Sequence, residues 1–100
     1  MSTQFSLVAI IKIAEGSVDA FKALMNNPNG VPTTRAFPGN ILFECTSDIN
    51  DETTIRIYEK WENKDAWDAY MKSRGETGFA DKLSSFVSAP PQFIPVSLIA

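Results

Sequence analysis

A single-domain α+β fold, with one antiparallel sheet and helices on one face of it, is what this 100-residue sequence predicts. Three observations point there. Apolar runs of period two alternate with segments of helical spacing in the order β-α-β-β-α-β. The two middle strands are joined by a short polar turn, residues 47–52, which makes an antiparallel hairpin and not a crossover. The first strand is apolar on both faces, so the side of the sheet that the helices leave bare needs a cover. This succession of elements is that of the ferredoxin-like fold, and a homodimer packing sheet against sheet would supply the cover.

Residues 5–13, FSLVAIIKI, are β-branched and apolar on both faces and read as a central strand buried on both sides. Gly16 and Ser17 stop it. Ser17 is placed as an N-cap, Asp19 lies in the first turn where the helix dipole favours an acid, and Val18, Phe21, Leu24 and Met25 form one apolar stripe. Pro28 and Gly30 end this helix, residues 29–34 read as a loop, and residues 33–37 can make a helical turn after Pro32. A turn at Pro38, Gly39 and Asn40 leads into a strand over 41–46, the acidic turn, and a third strand over 53–61. Asn63 is placed to cap the next helix, Asp65 sits in its first turn, and Gly75 is the expected stop after Lys72 and Arg74. A further helical segment over 77–87 puts Phe79, Leu83, Phe86 and Val87 on one side before Pro90 and Pro91 end it. The apolar tail over 92–99 is extended, and Pro95 within it suits an edge strand.

The composition excludes several classes of function. A net charge of −3 with scattered basic residues argues against nucleic acid or an anionic membrane as partner. The start lacks a basic leader region, and Lys12 and Glu15 interrupt its apolar run, so neither a signal peptide nor a membrane span is expected and the location expected is cytoplasmic. One cysteine, Cys45, and no histidine exclude an internal disulfide, Ser-His and Cys-His nucleophile pairs, multi-thiolate metal sites and histidine-ligated haem. Residues 47–52 are acidic but lack the glycine and terminal glutamate of a calcium loop, so they read as a solvated turn. No metal or cofactor is expected.

Three stretches together carry a family resemblance: TRAFPGNILFE ahead of the second strand, IYEKWENKDAWDAYM through the third strand and the helix after it, and a last helical segment ending in PP before a final strand. From Phe5 to about Val96 the sequence resembles the antibiotic biosynthesis monooxygenase family of dimeric α+β barrels. Its markers here are Arg35, Pro38, Gly39, Glu44, Tyr58, Glu59, Trp61 and Glu62. The resemblance implies the fold and the homodimer; the family's chemistry is varied, spanning cofactor-free quinol and anthrone oxygenases, haem-degrading enzymes and other roles. Where anthrone-oxygenating members surround a planar phenol with an asparagine, a tryptophan, a tyrosine and an arginine, this chain retains the tryptophan as Trp61. Ile57, Trp67 and Ala80 fall at the other three positions. The histidine of haem-degrading members is missing.

Cofactor-independent oxygenation requires a group that takes a proton from an electron-rich phenol, and a dry apolar pocket in which the resulting anion can pass an electron to oxygen. Trp61, Trp67, Tyr70, Met71 and Phe79 offer flat apolar walls suited to a small aromatic molecule, with Ile57 and Arg35 completing the substrate-binding set. Strand alternation puts Glu59 on the same face as Ile57 and Trp61, where burial would raise its pKa towards neutrality. Glu59 and Tyr70 are therefore the candidate catalytic residues. Plainer readings stay open beside these: Glu59 in an ion pair, with Arg35 as partner, the aromatics as ordinary core, and the protein as a non-catalytic, stress-related or otherwise unassigned barrel holding an apolar ligand. Cys45 reads as an inert buried thiol.

Overall fold

A computed structural model describes residues 4–100; Met1–Thr3, where the reading of a leaderless start begins, lie outside the described residues. The chain runs β1 (Phe5–Lys12), α1 (Val18–Asn26), α2 (Val31–Ala36), β2 (Asn40–Ser47), β3 (Thr54–Trp61), α3 (Lys64–Glu76), α4 (Phe79–Ser84) and β4 (Gln92–Val96). The four strands form one antiparallel sheet in the order β2-β3-β1-β4. This is the predicted ferredoxin-like architecture, with β1 central and the Pro95-bearing tail strand on an edge, where its missing N–H disturbs no inner ladder.

One face of the sheet is buried under the helices and the other is not. Along β1, Leu7, Ala9 and Ile11 are buried while Val8 and Ile10 between them are only half-buried. The expectation of a strand buried on both sides thus holds for one side within a single chain, because both helical layers lie against the same face. On the open face the register lines up Tyr58, Val8 and Ile94 across three strands, and Leu42, Tyr58, Ile94 and Val96 are each roughly two-fifths exposed or more.

The helical side carries two apolar clusters. The larger joins Ala9, Ile11 and Ile57 of the sheet to Val18, Phe21 and Met25 of α1. The smaller gathers Leu7, Trp61 and Tyr70 with Phe37, Ala66, Trp67 and Met71 around them. Glycine lets the chain close up between them: Gly39 has a φ of 90°, and a Cβ there would come within 2.6 Å of the Ala66 side chain, so the approach of the β2 entry to α3 needs this residue.

Several local expectations are corrected. Ser17 occupies the N-cap of α1 but its side chain makes no cap bond, whereas Asn63 caps α3 as expected, its Oδ1 accepting from the Ala66 amide at 2.8 Å. Helix α2 starts at Val31, two residues early, because Pro32 fits the first turn where no N–H is needed. Helix α3 runs through Gly75; the glycine that ends it is Gly78, whose φ of 80° breaks the helical path. In the hairpin turn Asp51 pairs with Lys12 and Asp48 with Arg56, and each also accepts from a turn amide. No helix of the described residues is long and apolar enough to cross a membrane.

Candidate functional site

The helical face of β3 presents Ile57, Glu59 and Trp61 inward in succession, as alternation requires. All three are buried, and Trp61 completely so at 0% exposure. Residues directly opposite on neighbouring strands share a face, and Glu59 pairs with Leu7 on β1 and Phe43 on β2. The carboxyl is therefore surrounded in the sheet by Leu7, Phe43, Ile57 and Trp61, at the boundary between the two apolar clusters. Its one hydrogen bond among the described residues is from Trp61 Nε1–H to Oε1 at 3.0 Å.

Burial without a cation has an electrostatic consequence. Loss of solvent pushes the Glu59 carboxyl up to about 7, and the indole bond, which favours the anion, only partly opposes this. The expected ion pair with Arg35 does not form. Arg35, exposed on α2, sends Nε–H and Nη2–H to the Phe43 carbonyl at 3.2 and 3.0 Å, so it fastens α2 onto edge strand β2. Beside it, burial pushes the Cys45 thiol up to about 11 against the opposing influence of Arg35, which leaves it an inert thiol.

The space next to Trp61 is taken by aromatic side chains. Tyr70 lies 4.9 Å from it between ring centroids, and Phe37, arriving from the end of α2, packs edge-on against both Trp61 and Tyr70. Trp67 packs instead between Phe5 and Phe93 at 5.4 and 5.9 Å, and its indole N–H is buried with no hydrogen-bond partner among the described residues. Leaving such a donor unpaired costs on the order of 1–3 kcal/mol, which makes it a place where a ligand oxygen would be welcome. Met71 packs at the margin of the same cluster.

Tyr70 is held, and the residue holding it was not nominated by the sequence reading. Arg74, one turn further along α3 and only 7% exposed, donates from Nε to the Tyr70 hydroxyl at 3.1 Å and from Nη2 to Thr34 Oγ1 at 2.7 Å. Its remaining bonds go to the Asn29 and Gly30 carbonyls at 2.7 and 2.8 Å. The Tyr70 and Thr34 hydroxyls are themselves 2.7 Å apart, and the guanidinium carbon sits 3.9 Å from the Phe79 ring centre. Gly30 is required here, since a Cβ would strike the Leu24 and Met25 carbonyl oxygens. The signal for Arg74 was available: it lies at i+4 from Tyr70, on the same inward stripe of the helix.

A cleft of about 730 Å³ opens on the other side of this network, between α1, the 27–33 segment, α3 and α4. Of the residues nominated from the sequence only Phe79 lines it, together with Phe37, Arg74 and Lys82. The structure thus brings Ile57, Glu59, Trp61 and Tyr70 together in the interior, places Phe79 at the cleft, and sends Arg35 to the sheet edge.

The family model described as antibiotic biosynthesis monooxygenase matches residues 4–82. No curated protein sequence matches the chain. Among solved structures, a protein of Nitrosomonas europaea provisionally named an antibiotic biosynthesis monooxygenase superposes with a TM-score of 0.85 at 14% identity, covering 99% of this chain and 93% of its own. PA3566 of Pseudomonas aeruginosa gives 0.83 at 20% identity, over 100% and 98%. A variant of SnoaB, a cofactor-independent oxygenase from Streptomyces nogalater, gives 0.81 at 11% identity, over 99% and 96%. At such identities the likeness is one of fold.

Proposed function

Because the chain belongs to the antibiotic biosynthesis monooxygenase family, whose fold it shares with a cofactor-independent oxygenase, we propose that it oxygenates a small planar phenol or quinol without metal or flavin. The observation that carries this is Glu59: a buried carboxyl with no ion-pair partner among the described residues and a pKa pushed up to about 7. Such a group is part carboxylate at neutral pH and takes a proton from a phenol placed against it. The phenolate, in surroundings of Leu7, Phe43 and Trp61, passes one electron to dioxygen. The substrate radical and superoxide then join at a ring carbon that bears hydrogen, the resulting peroxide anion takes back the proton from Glu59, and cleavage of its O–O bond with loss of that ring hydrogen releases water and leaves the quinone. Trp67, with its unpaired N–H, and Tyr70 are the polar groups suited to hold the substrate oxygens. Access to Glu59 requires Phe37 and Tyr70 to give way, since they fill the space beside Trp61.

Oxygen uptake by metal-stripped protein, measured over a panel of quinols and anthrones, tests the reading. Glu59→Gln abolishes turnover on this account while leaving the fold intact, and the wild-type rate rises as pH passes through about 7, because the carboxylate is the active form. No uptake with any of the panel would sink it. The absence of the family's polar groups, with Ile57, Trp67 and Ala80 at three of their positions and no histidine in the sequence, favours a second reading, a non-catalytic barrel that binds a small apolar ligand, under which Glu59→Gln leaves binding unchanged and there is no turnover to lose.

The protein is further proposed to be a cytoplasmic homodimer. The half-exposed apolar patch of Leu42, Tyr58, Ile94 and Val96 on the open sheet face supports the dimer. Light scattering that gave a monomer at micromolar concentration would remove it.

A further inference from the structure

The cleft between the helices has a chemical character that the oxygenase reading does not use. Its lining contains two cations, Arg74 and Lys82, and no acidic side chain, in a chain whose net charge is −3. Arg74 is buried, and every group it bonds is neutral: two carbonyls, one hydroxyl from Tyr70 and one from Thr34. A guanidinium cannot shed its proton to escape this, so a full positive charge stands at the cleft wall without an anion. Four of its five N–H groups are committed; the second hydrogen on Nη1 has no partner among the described residues. Lys82, exposed on α4, makes no ion pair among the described residues. The same lining includes Phe37, Phe79, Phe86 and Leu24, and the Arg74 guanidinium lies over the Phe79 ring.

From this juxtaposition we infer that the cleft binds a small aromatic carboxylate, its carboxyl group between Arg74 and Lys82 and its ring against the phenylalanines. A charge-assisted bond to a buried guanidinium selects the anion over its neutral analogue, and the apolar wall selects an aromatic acid over a bare anion. The volume of about 730 Å³ admits a fused two-ring acid with room to spare. This site is independent of Glu59, which does not line the cleft, and it stands or falls by binding and not by turnover.

The test is calorimetric titration of the whole protein at pH 8 with 2-naphthoate, 2-naphthamide and acetate, with backbone amide shifts recorded in parallel. Saturable binding of naphthoate, about tenfold or more tighter than naphthamide, with shifts centred on Ala23, Thr77 and Gly78, is the expected result. Lys82→Gln should weaken naphthoate several-fold without changing the melting temperature of the free protein, and added salt should weaken it further. Equal affinity for the amide, equal affinity for acetate, shifts centred elsewhere, or no saturation by naphthoate would each overturn the assignment.

Discussion

Glu59 and Arg74 are both buried, both ionisable, and both without a partner of opposite sign among the described residues, yet the protein treats them differently. The sheet gives Glu59 one hydrogen bond, from Trp61. Helix α3 and its neighbours give Arg74 four, along with the face of Phe79. The chemistry of the two groups accounts for the contrast. A carboxyl in an apolar setting neutralises itself by taking up a proton, so it tolerates sparse solvation. A guanidinium has no such recourse, so its burial rests on oxygens supplied to its donors, four of the five in Arg74. The site on the sheet is thereby left titratable, and the site between the helices is left permanently positive.

Removing the better-supported charge should do the greater damage. Arg74→Met strands the Asn29 and Gly30 carbonyls and breaks the link between α3 and the 29–34 segment, with an expected loss of about 4 kcal/mol in urea unfolding. Arg74→Lys, which keeps the charge but not the fork, should recover less than half of this. If Arg74→Met unfolded at the wild-type urea concentration, the network would be decoration and the contrast empty.

Glu59→Gln should act in the opposite direction, and only at one end of the pH scale. The folded carboxyl titrates at about 7 and the unfolded one near 4.5. Between those values the folded state holds a proton that the unfolded state has lost, so stability falls as pH rises through this window. Glutamine accepts from the Trp61 indole but carries no charge. Its expected benefit is therefore absent below about pH 4.5 and complete above about pH 7, where it reaches about 3 kcal/mol. Melting temperatures at pH 4.5 and pH 8 check it; an equal effect at both would mean that Glu59 is not held above its ordinary range.

The two sites also differ in how far they can be read from the sequence. Strand alternation from Ile55 to Trp61 places Glu59 on the buried face with no further information, and the doubly apolar β1 correctly demands a central position in the sheet. Helical periodicity places Arg74 inward by the same logic, but the basic residue near an expected stop at Gly75 looked like a helix-end charge. Helix α3 ends at Glu76, so Arg74 does lie in its last turn, yet its guanidinium turns inward to the Asn29 and Gly30 carbonyls. Whether the aromatic wall is open or filled is a different kind of question. It turns on Phe37, which comes from outside the strand-helix stretch and fills the space next to Trp61 only once α2 has packed on β2. The fate of Arg35 turns on the same packing, which carries it to the Phe43 carbonyl and away from Glu59.

The smallest change that still bears on the contrast is Tyr70→Phe, because Tyr70 touches both sides of it: its ring stacks near Trp61, the indole that bonds Glu59, and its hydroxyl accepts from Arg74. The substitution keeps the ring and removes one oxygen. Arg74 then loses one of four acceptors and Thr34 loses its hydroxyl neighbour, for an expected cost of about 1–2 kcal/mol at all pH values. If the two charges are solvated independently, this cost adds to the effect of Glu59→Gln, and the double variant at pH 8 should match the sum of the singles within about 0.5 kcal/mol. A larger departure would mean that Tyr70 transmits the protonation state of the sheet site to the guanidinium, and the two buried charges would have to be treated as one coupled unit.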